Sequence, residues 1–89
     1  MYKIKATNQF KKDLKLAKRR NMSIEKIKNI MRILSEDEKL GPRYKDHILQ
    51  GDYINCRECH IESDWLLIYK IEADNIIFER TGTHSDLFK

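Results

Sequence analysis

The chain has 89 residues, 40% of them hydrophobic and 36% charged, which suffices for one globular domain with a modest core and leaves no length for a second. Its 18 lysines and arginines against 14 acids give a net charge of +4, which favours a polyanionic partner such as nucleic acid. No stretch approaches the roughly 18 apolar residues of a membrane span, and the first residues lack an apolar signal region, so we expect a cytoplasmic protein without a membrane partner.

The chain opens with a predicted strand and a first helix. Apolar and basic residues alternate over 2–6, which predicts a short strand. Thr7 or Asn8 is a suitable N-cap for a helix that runs to about Arg20, and Asn21 is a suitable residue just past its end.

Six cations crowd this first helix against a single acid, Asp13. A basic helix of this kind binds a phosphate backbone or an acidic protein segment, and the alternative is a solvated helix face. The cations are Lys11, Lys12, Lys15, Lys18, Arg19 and Arg20.

A second helix follows, capped by Ser23 and running to about Glu38, where Gly41 and Pro42 come next. Its apolar residues recur with helical spacing and predict one buried stripe. The short turn between the two helices predicts that they are antiparallel. Residues 43–51 are predicted to form a loop.

The last part of the chain changes to strand-like periodicity over 53–61, 65–71 and 76–81, with short turns at 62–64 and 73–75. Such short connections predict an antiparallel meander, and the middle strand is apolar on both faces, which predicts a central position. The order β-α-α-β-β-β indicates an α+β domain, with two antiparallel helices packed on one face of a small, mainly antiparallel sheet.

Cys56, Cys59 and His60 form a C-x-x-C-H pattern, which is typical of half a zinc site, a redox pair or c-type haem attachment. Zinc needs further ligands at compatible spacing, and haem attachment needs export. Residues three apart on a strand also point to opposite faces. We therefore expect two reduced thiols and no metal or cofactor.

Three histidines, His47, His60 and His84, lie in polar segments of this basic chain, flanked by arginines, carboxylates and aromatic residues. Histidine is the side chain that changes charge near neutral pH. The combination indicates acid–base chemistry on a phosphodiester.

Four segments resemble the YafQ-type toxins of the RelE superfamily: YKDHILQG at 44–51, RECHI at 57–61, DWLLIY at 64–69 and RTGTHSDLF at 80–88. The resemblance implies a single RelE-like toxin domain over 1–89. It also implies a bacterial type II toxin, a ribosome-dependent endoribonuclease that cleaves mRNA in the ribosomal A site without a metal. Its implied partners are the ribosome and mRNA, a DinJ-like antitoxin of ribbon-helix-helix type, and operator DNA reached only through the antitoxin complex.

The same resemblance implies roles for five residues. His84 is expected to be the general acid that protonates the departing 5′-oxygen. Arg80 is expected to bind the phosphate, to form an ion pair with Glu79 or Glu58, or to do both. The base that takes the proton of the RNA 2′-hydroxyl is left open among His60, Asp64 and His47.

Further residues are expected to bind RNA. Trp65 and Phe88 are candidates to stack on bases, although Trp65 is equally suited to the core because its strand neighbours are apolar. The basic first helix is expected to grip ribosomal RNA, so that the ribosome orients the substrate.

Three other interpretations remain open: a non-catalytic RNA- or DNA-binding module, a metal hydrolase that uses all three histidines, and an inactive toxin relative that binds only antitoxin and operator DNA.

Overall fold

The structure, a computed structural model, describes residues 1–88. Three helices and five strands follow the order β1 (Lys3–Ala6), α1 (Asn8–Arg19), α2 (Ile24–Ser35), β2 (His47–Ile48), β3 (Arg57–Glu62), β4 (Trp65–Glu72), β5 (Asn75–Gly82) and α3 (His84–Leu87). Single turns of 3₁₀-helix form at Pro42–Tyr44 and Gly51–Tyr53.

The five strands form one sheet in the order β1-β5-β4-β3-β2. β1 pairs with β5 in parallel, and the other neighbours are antiparallel. The predicted α+β class and the central position of β4 are confirmed. β1 lies at one edge of the sheet, and α1 and α2 carry the chain to β2 at the opposite edge. The meander β3-β4-β5 therefore lies between β1 and β2.

One face of the sheet carries the main core, where α1 and α2 cover the strands. The predicted apolar stripes account for this packing, and the Thr7 cap is confirmed, whereas Ser23 occupies the N-cap position of α2 without a side-chain hydrogen bond. Thr7 accepts a hydrogen bond from the Phe10 amide at 2.9 Å, and Asn21 ends α1 with a left-handed φ of 60°. Phe10 and Ala17 of α1, and Ile27 and Ile30 of α2, are buried.

The other face carries a smaller apolar cluster in which Cys56, Leu66, Ile68 and Leu87 are buried. Leu87 belongs to α3, so the C-terminal helix covers part of this face. The remainder holds polar side chains, which form the candidate site.

Several predicted boundaries differ from the structure. The strand predicted at 53–61 begins only at Arg57, because Asn55 has a φ of 70° and breaks the extended chain behind a 3₁₀ turn. The second helix stops at Ser35 rather than Glu38, since Asp37 is left-handed with a φ of 60°. Two short elements were not predicted: the two-residue β2, which lies in the segment predicted to be a loop, and α3.

Within residues 1–88, no helix combines the length and the apolar character that crossing a membrane requires.

Candidate active site

Strand pairing places His47, Glu58 and Arg80 in one row across the sheet. His47 lies opposite Glu58, Glu58 opposite Ile68, and Ile68 opposite Arg80. Cross-strand partners share a face, so these side chains follow one line from β2 to β5. This is the face that α1 and α2 leave uncovered.

The next row starts at His60, which lies opposite Leu66, and Leu66 lies opposite Gly82. The chain leaves β5 after Gly82 and begins α3 at His84. As a result the His60 and His84 rings lie 5.9 Å apart between centroids, and His47 lies 6.4 Å from His60. The structure brings the three predicted histidines together.

Glu58 supplies a buried carboxylate beneath two of these histidines. Its Oε1 lies 3.4 Å from Nε2 of His60 and 3.6 Å from Nε2 of His47, and the residue is only 4% exposed. A buried carboxylate needs polar partners, and these imidazoles provide them. Glu58 therefore contacts both His47 and His60 from beneath, and it was not among the predicted site residues.

Asp64, in the turn between β3 and β4, holds His84 at two points. Its Oδ1 accepts the His84 backbone N–H at 2.9 Å and contacts the ring Nδ1 at 2.6 Å. These hydrogen bonds, the backbone one first, lower the pKa of Asp64 below its usual value. The geometry puts a proton on Nδ1 of His84 and leaves Nε2 free to exchange one.

A capping box fixes the start of α3. Thr83 accepts from the Asp86 amide at 3.2 Å, and the Asp86 carboxylate accepts from the Thr83 amide at 3.0 Å. Arg20, the C-cap residue of α1, donates to the same carboxylate at 2.7 Å, and this bond, with the cap, holds the pKa of Asp86 well below its usual range. α1 therefore anchors the turn that carries His84.

Gly82 lies close to the Asp86 side chain, which leaves little room for a side chain of its own. A Cβ at Gly82 would lie 3.0 Å from both Cβ and Oδ2 of Asp86. A larger residue at Gly82 would require the Asp86 side chain, a member of the capping box, to shift by a few tenths of an ångström.

Arg80 is held by Asp13 of α1, and not by Glu79 or Glu58 as the alternative reading of the sequence proposed. Its Nε donates to Asp13 Oδ2 at 2.8 Å and its Nη2 to Oδ1 at 3.3 Å. These hydrogen bonds raise the pKa of Arg80 further above its usual value. Asp13 also accepts the Thr81 amide at 3.1 Å, on the part of β5 that lies beyond its pairing with β1.

Aromatic rings continue the site beyond the histidines. Phe88 is 43% exposed, lies 6.3 Å from the His84 ring and packs edge-on against Tyr53 at 5.6 Å. Nη1 of Arg80 lies 3.5 Å from the Tyr53 hydroxyl. Phe88 and Tyr53 thus border the space in front of His84 and Arg80.

Trp65 does not belong to this surface, and its predicted stacking on bases is wrong. It is 1% exposed within the core under the helices, where Nε1 donates to the Thr81 hydroxyl at 2.9 Å. The apolar neighbours of Trp65 on its strand had indicated a core position as the alternative.

All six cations of the basic helix are exposed, as a surface that contacts RNA requires: Lys11, Lys12, Lys15, Lys18, Arg19 and Arg20. Of these, Arg20 also has the structural role at Asp86 described above.

Cys56 and Cys59 are free, buried and packed in the two different apolar clusters, so the predicted opposite orientation is confirmed. Burial raises the pKa of both thiols, which makes them poor nucleophiles. Among residues 1–88, no group of three or more histidine, cysteine or acidic side chains is arranged to hold a metal ion.

Sequence reasoning missed Asp13 and Tyr53 as well as Glu58. Asp13 carried one signal, as the single acid among six cations. Glu58 could have been recognised as the carboxylate two residues before His60, on the same face of the strand. No sequence signal linked Tyr53 to Arg80.

The family model for "Bacterial toxin of type II toxin-antitoxin system, YafQ" matches residues 2–89. The chain belongs to the YafQ family. It is 44% identical over 86 residues to the mRNA interferase toxin YafQ of Escherichia coli K12, covering 96% of this chain and 94% of that protein. The crystal structure of YafQ from E. coli BL21(DE3) matches with a TM-score of 0.95 at 41% identity, with both chains fully covered. YafQ in the E. coli DinJ–YafQ complex matches with a TM-score of 0.91 at 42% identity, again over both full chains.

Proposed function

We propose that the chain is the toxin of a type II toxin–antitoxin system, an mRNA interferase that cleaves mRNA in the ribosomal A site by metal-independent acid–base chemistry. The observation that carries this proposal is the approach of the His60 and His84 rings to 5.9 Å, with His84 held by Asp64 at 2.6 Å. Arg80 is linked to this pair through Tyr53, which packs on Phe88 beside His84. The likeness to the mRNA interferase toxin of E. coli supports it.

His84 acts as the general acid. Its Nδ1 proton is committed to Asp64, so Nε2 is the atom that gives a proton to the departing 5′-oxygen. Asp64 is a positioning residue, because its low pKa makes it a weak base near neutral pH.

His60 is the general base. Both ring nitrogens of His47 have protein partners, since Nδ1 donates to the Lys45 carbonyl at 2.7 Å and Nε2 faces Glu58 at 3.6 Å. His60 contacts Glu58 through Nε2, which leaves Nδ1 to accept the 2′-hydroxyl proton. His47 then helps to position Glu58 and the phosphate.

Arg80 stabilises the charge that develops on the phosphate. The 2′-oxygen forms a bond to phosphorus as its proton passes to His60, and the bond to the 5′-oxygen breaks as His84 supplies a proton. The products are a 2′,3′-cyclic phosphate and a 5′-hydroxyl. DNA lacks the nucleophile and is not cut.

The ribosome supplies orientation. The exposed cations of α1 are suited to the phosphates of ribosomal RNA, and fixing the mRNA in the A site lowers the entropic part of the barrier. Free RNA is therefore a poor substrate.

The neutralising partner is a cognate antitoxin. E. coli YafQ has been crystallised in complex with DinJ, and we propose a DinJ-like, ribbon-helix-helix antitoxin for this chain. Operator DNA is reached only through that complex.

Primer extension on a defined mRNA in a purified translation system tests this function. We expect wild-type protein to cut within codons only when ribosomes are present, and a chelator of transition metals to leave the cuts unchanged. His84→Ala should slow cleavage about 10²–10⁴-fold, the contribution of a general acid. His84 is exposed, so the variant should keep its fold.

Three results would contradict this proposal, each in a different way. Cuts without ribosomes would keep the chemistry and reject the A-site mechanism, and loss of cutting with the chelator would favour a metal hydrolase. Absence of cutting by wild-type protein would favour a binding module or an inactive relative.

A further inference from the structure

A cavity of about 520 Å³ adjoins the candidate active site and has no part in the chemistry described above. It lies between α2, the 3₁₀ turn at Pro42–Tyr44 and the hairpin of β3 and β4. His60 lines both this cavity and the active site. Its volume falls within the range of about 300–1,000 Å³ that is usual for ligand sites.

The cavity is cationic. Lys26, Arg43 and Lys45 line it together with one carboxylate, Glu62, which pairs with Lys26 at 2.9 Å. Within residues 1–88, no carboxylate forms an ion pair with Arg43 or Lys45. Two positive charges are therefore available to an anionic ligand.

Arg43 also provides a flat stacking surface. Its guanidinium carbon lies 4.8 Å from the centroid of the Tyr44 ring, and Nη2 donates to the Tyr44 hydroxyl at 2.6 Å. Tyr44 packs against the main core, which fixes the ring from behind. The guanidinium is thereby held in one plane on the cavity wall.

The turn that carries this pair has two constrained backbone positions. Pro42 fixes one φ at the start of the 3₁₀ turn, and Lys45 ends it in the left-handed region with a φ of 48°. A preorganised surface loses little entropy on binding. Bases unstacked from single-stranded RNA stack on arginine planes in this way.

We propose that this cavity binds the mRNA nucleotide next to the scissile phosphate, with its base on the Arg43–Tyr44 platform and its phosphate near Lys45. Because His60 lines both the cavity and the candidate active site, the nucleotide next to one that reacts at His60 is within reach of the cavity. This inference rests on the proposed function and specifies how the same site holds its substrate.

A double-mutant cycle between protein and mRNA tests the inference. Cleavage rates are measured on programmed ribosomes with mRNAs that are intact or carry an abasic nucleotide on one side or the other of the cut. Arg43→Ala should lower the cleavage rate about tenfold on intact mRNA, the usual value of one base-stacking contact. On mRNA abasic at the bound neighbour, the same substitution should have little effect.

Two further variants separate stacking from charge and from surface effects. Arg43→Lys keeps the charge and loses the plane, and it should lose most of the same factor. Lys28→Ala removes an exposed cation of α2 outside the cavity and should cleave both mRNAs at the wild-type rate. Thermal unfolding of each variant should match wild type, because Arg43 and Lys28 are exposed.

An Arg43→Ala variant that cleaves at the wild-type rate would overturn the cavity assignment and leave the proposed function standing. Equal slowing on intact and abasic mRNA would also overturn it, because the contact would then be with another part of the ribosome complex. Loss of antitoxin affinity with unchanged cleavage would assign the cavity to the antitoxin. Absence of His84-dependent cleavage by wild-type protein would instead reject the proposed function itself.

Discussion

The two parts of the candidate site are built in different ways. The strand part consists of His47, Glu58, His60 and Arg80, which lie on strands of the sheet. Two buried carboxylates support it: Glu58 contacts the two histidines, and Asp13 of α1 contacts Arg80. The turn part (Asp64, His84 and Phe88) lies on short, exposed segments that hydrogen bonds hold in place.

This difference separates two kinds of support. In the strand part, buried carboxylates contact the proposed base, His60, and the proposed phosphate-binding cation, Arg80, so a change there removes charge from a region of low dielectric. In the turn part, the contacts are exposed and screened by solvent, so each one contributes less. Apart from removal of His84 itself, we expect the largest loss of cleavage at Glu58, the buried carboxylate of the strand part that contacts two histidines.

Among the substitutions of positioning residues, Glu58→Gln should reduce the rate of cleavage most. It keeps the shape of the side chain but removes the charge beneath two histidines, and cleavage on ribosomes should fall about 100-fold. Single-turnover rates measure the effect. Glu72→Gln, at an exposed position on β4, is the matched control, and equal rates for the two variants would contradict the role of Glu58.

Asp64→Asn should lower the single-turnover rate about tenfold and leave the apparent affinity for programmed ribosomes unchanged. An amide oxygen still accepts the His84 hydrogen bonds but no longer carries the charge that holds the Nδ1 proton. Asp52→Asn, in the exposed turn before β3, serves as control. A loss as large as that of His84→Ala would show that Asp64 does more than position the acid.

Asp13→Asn should slow cleavage several-fold by releasing Arg80, and it should cost about 3 kcal/mol of stability because a largely buried ion pair loses one partner. Hydrogen exchange at the Thr81 amide should accelerate, since Asp13 accepts that N–H. Unchanged exchange at Thr81 together with unchanged cleavage would refute the role of Asp13.

Asp86→Asn should have the smallest effect on cleavage and a measurable one on folding. At pH 7 the weakened cap should cost about 1 kcal/mol, or about 4–8 °C in Tm. The pKa of Asp86 is lower in the folded protein than in the unfolded chain, where it is about 3.9. The stabilisation is therefore complete above that value and is lost as pH falls below it.

Thermal unfolding at pH 7 and near pH 3 measures this dependence. The gap in Tm between wild type and Asp86→Asn should narrow at the lower pH, and Asp74→Asn, in an exposed turn, should follow wild type throughout. If the difference in Tm between wild type and Asp86→Asn instead widened at the lower pH, the pH dependence would have the opposite sign. That result would exclude stabilisation by the Arg20–Asp86 ion pair.

Much of the fold was readable from the sequence because periodicity and capping residues are local signals. The helices, the meander and the central β4 follow from them. The two-residue β2 and the four-residue α3 are too short to show periodicity. The pairing of Asp13 with Arg80 spans 67 residues of sequence, so no local spacing indicates it.

The site was predictable to a similar extent. The histidines, Asp64 and Arg80 were recognisable as residue types suited to RNA cleavage, and the structure places them together. Their supporting carboxylates were not recognised, because burial of Glu58 depends on how β2 and β4 flank β3. Trp65 shows the converse, since a residue suited to base stacking is used in the core.

A single 2′-deoxy substitution tests the central claim most directly. An mRNA with deoxyribose at the nucleotide 5′ to the scissile phosphate would be compared on ribosomes with the all-ribose mRNA. The account predicts that cleavage at that bond stops, while the all-ribose mRNA yields a 2′,3′-cyclic phosphate and a 5′-hydroxyl. Continued cleavage at the deoxy-substituted bond would contradict attack by the 2′-hydroxyl and the roles assigned to His60 and His84.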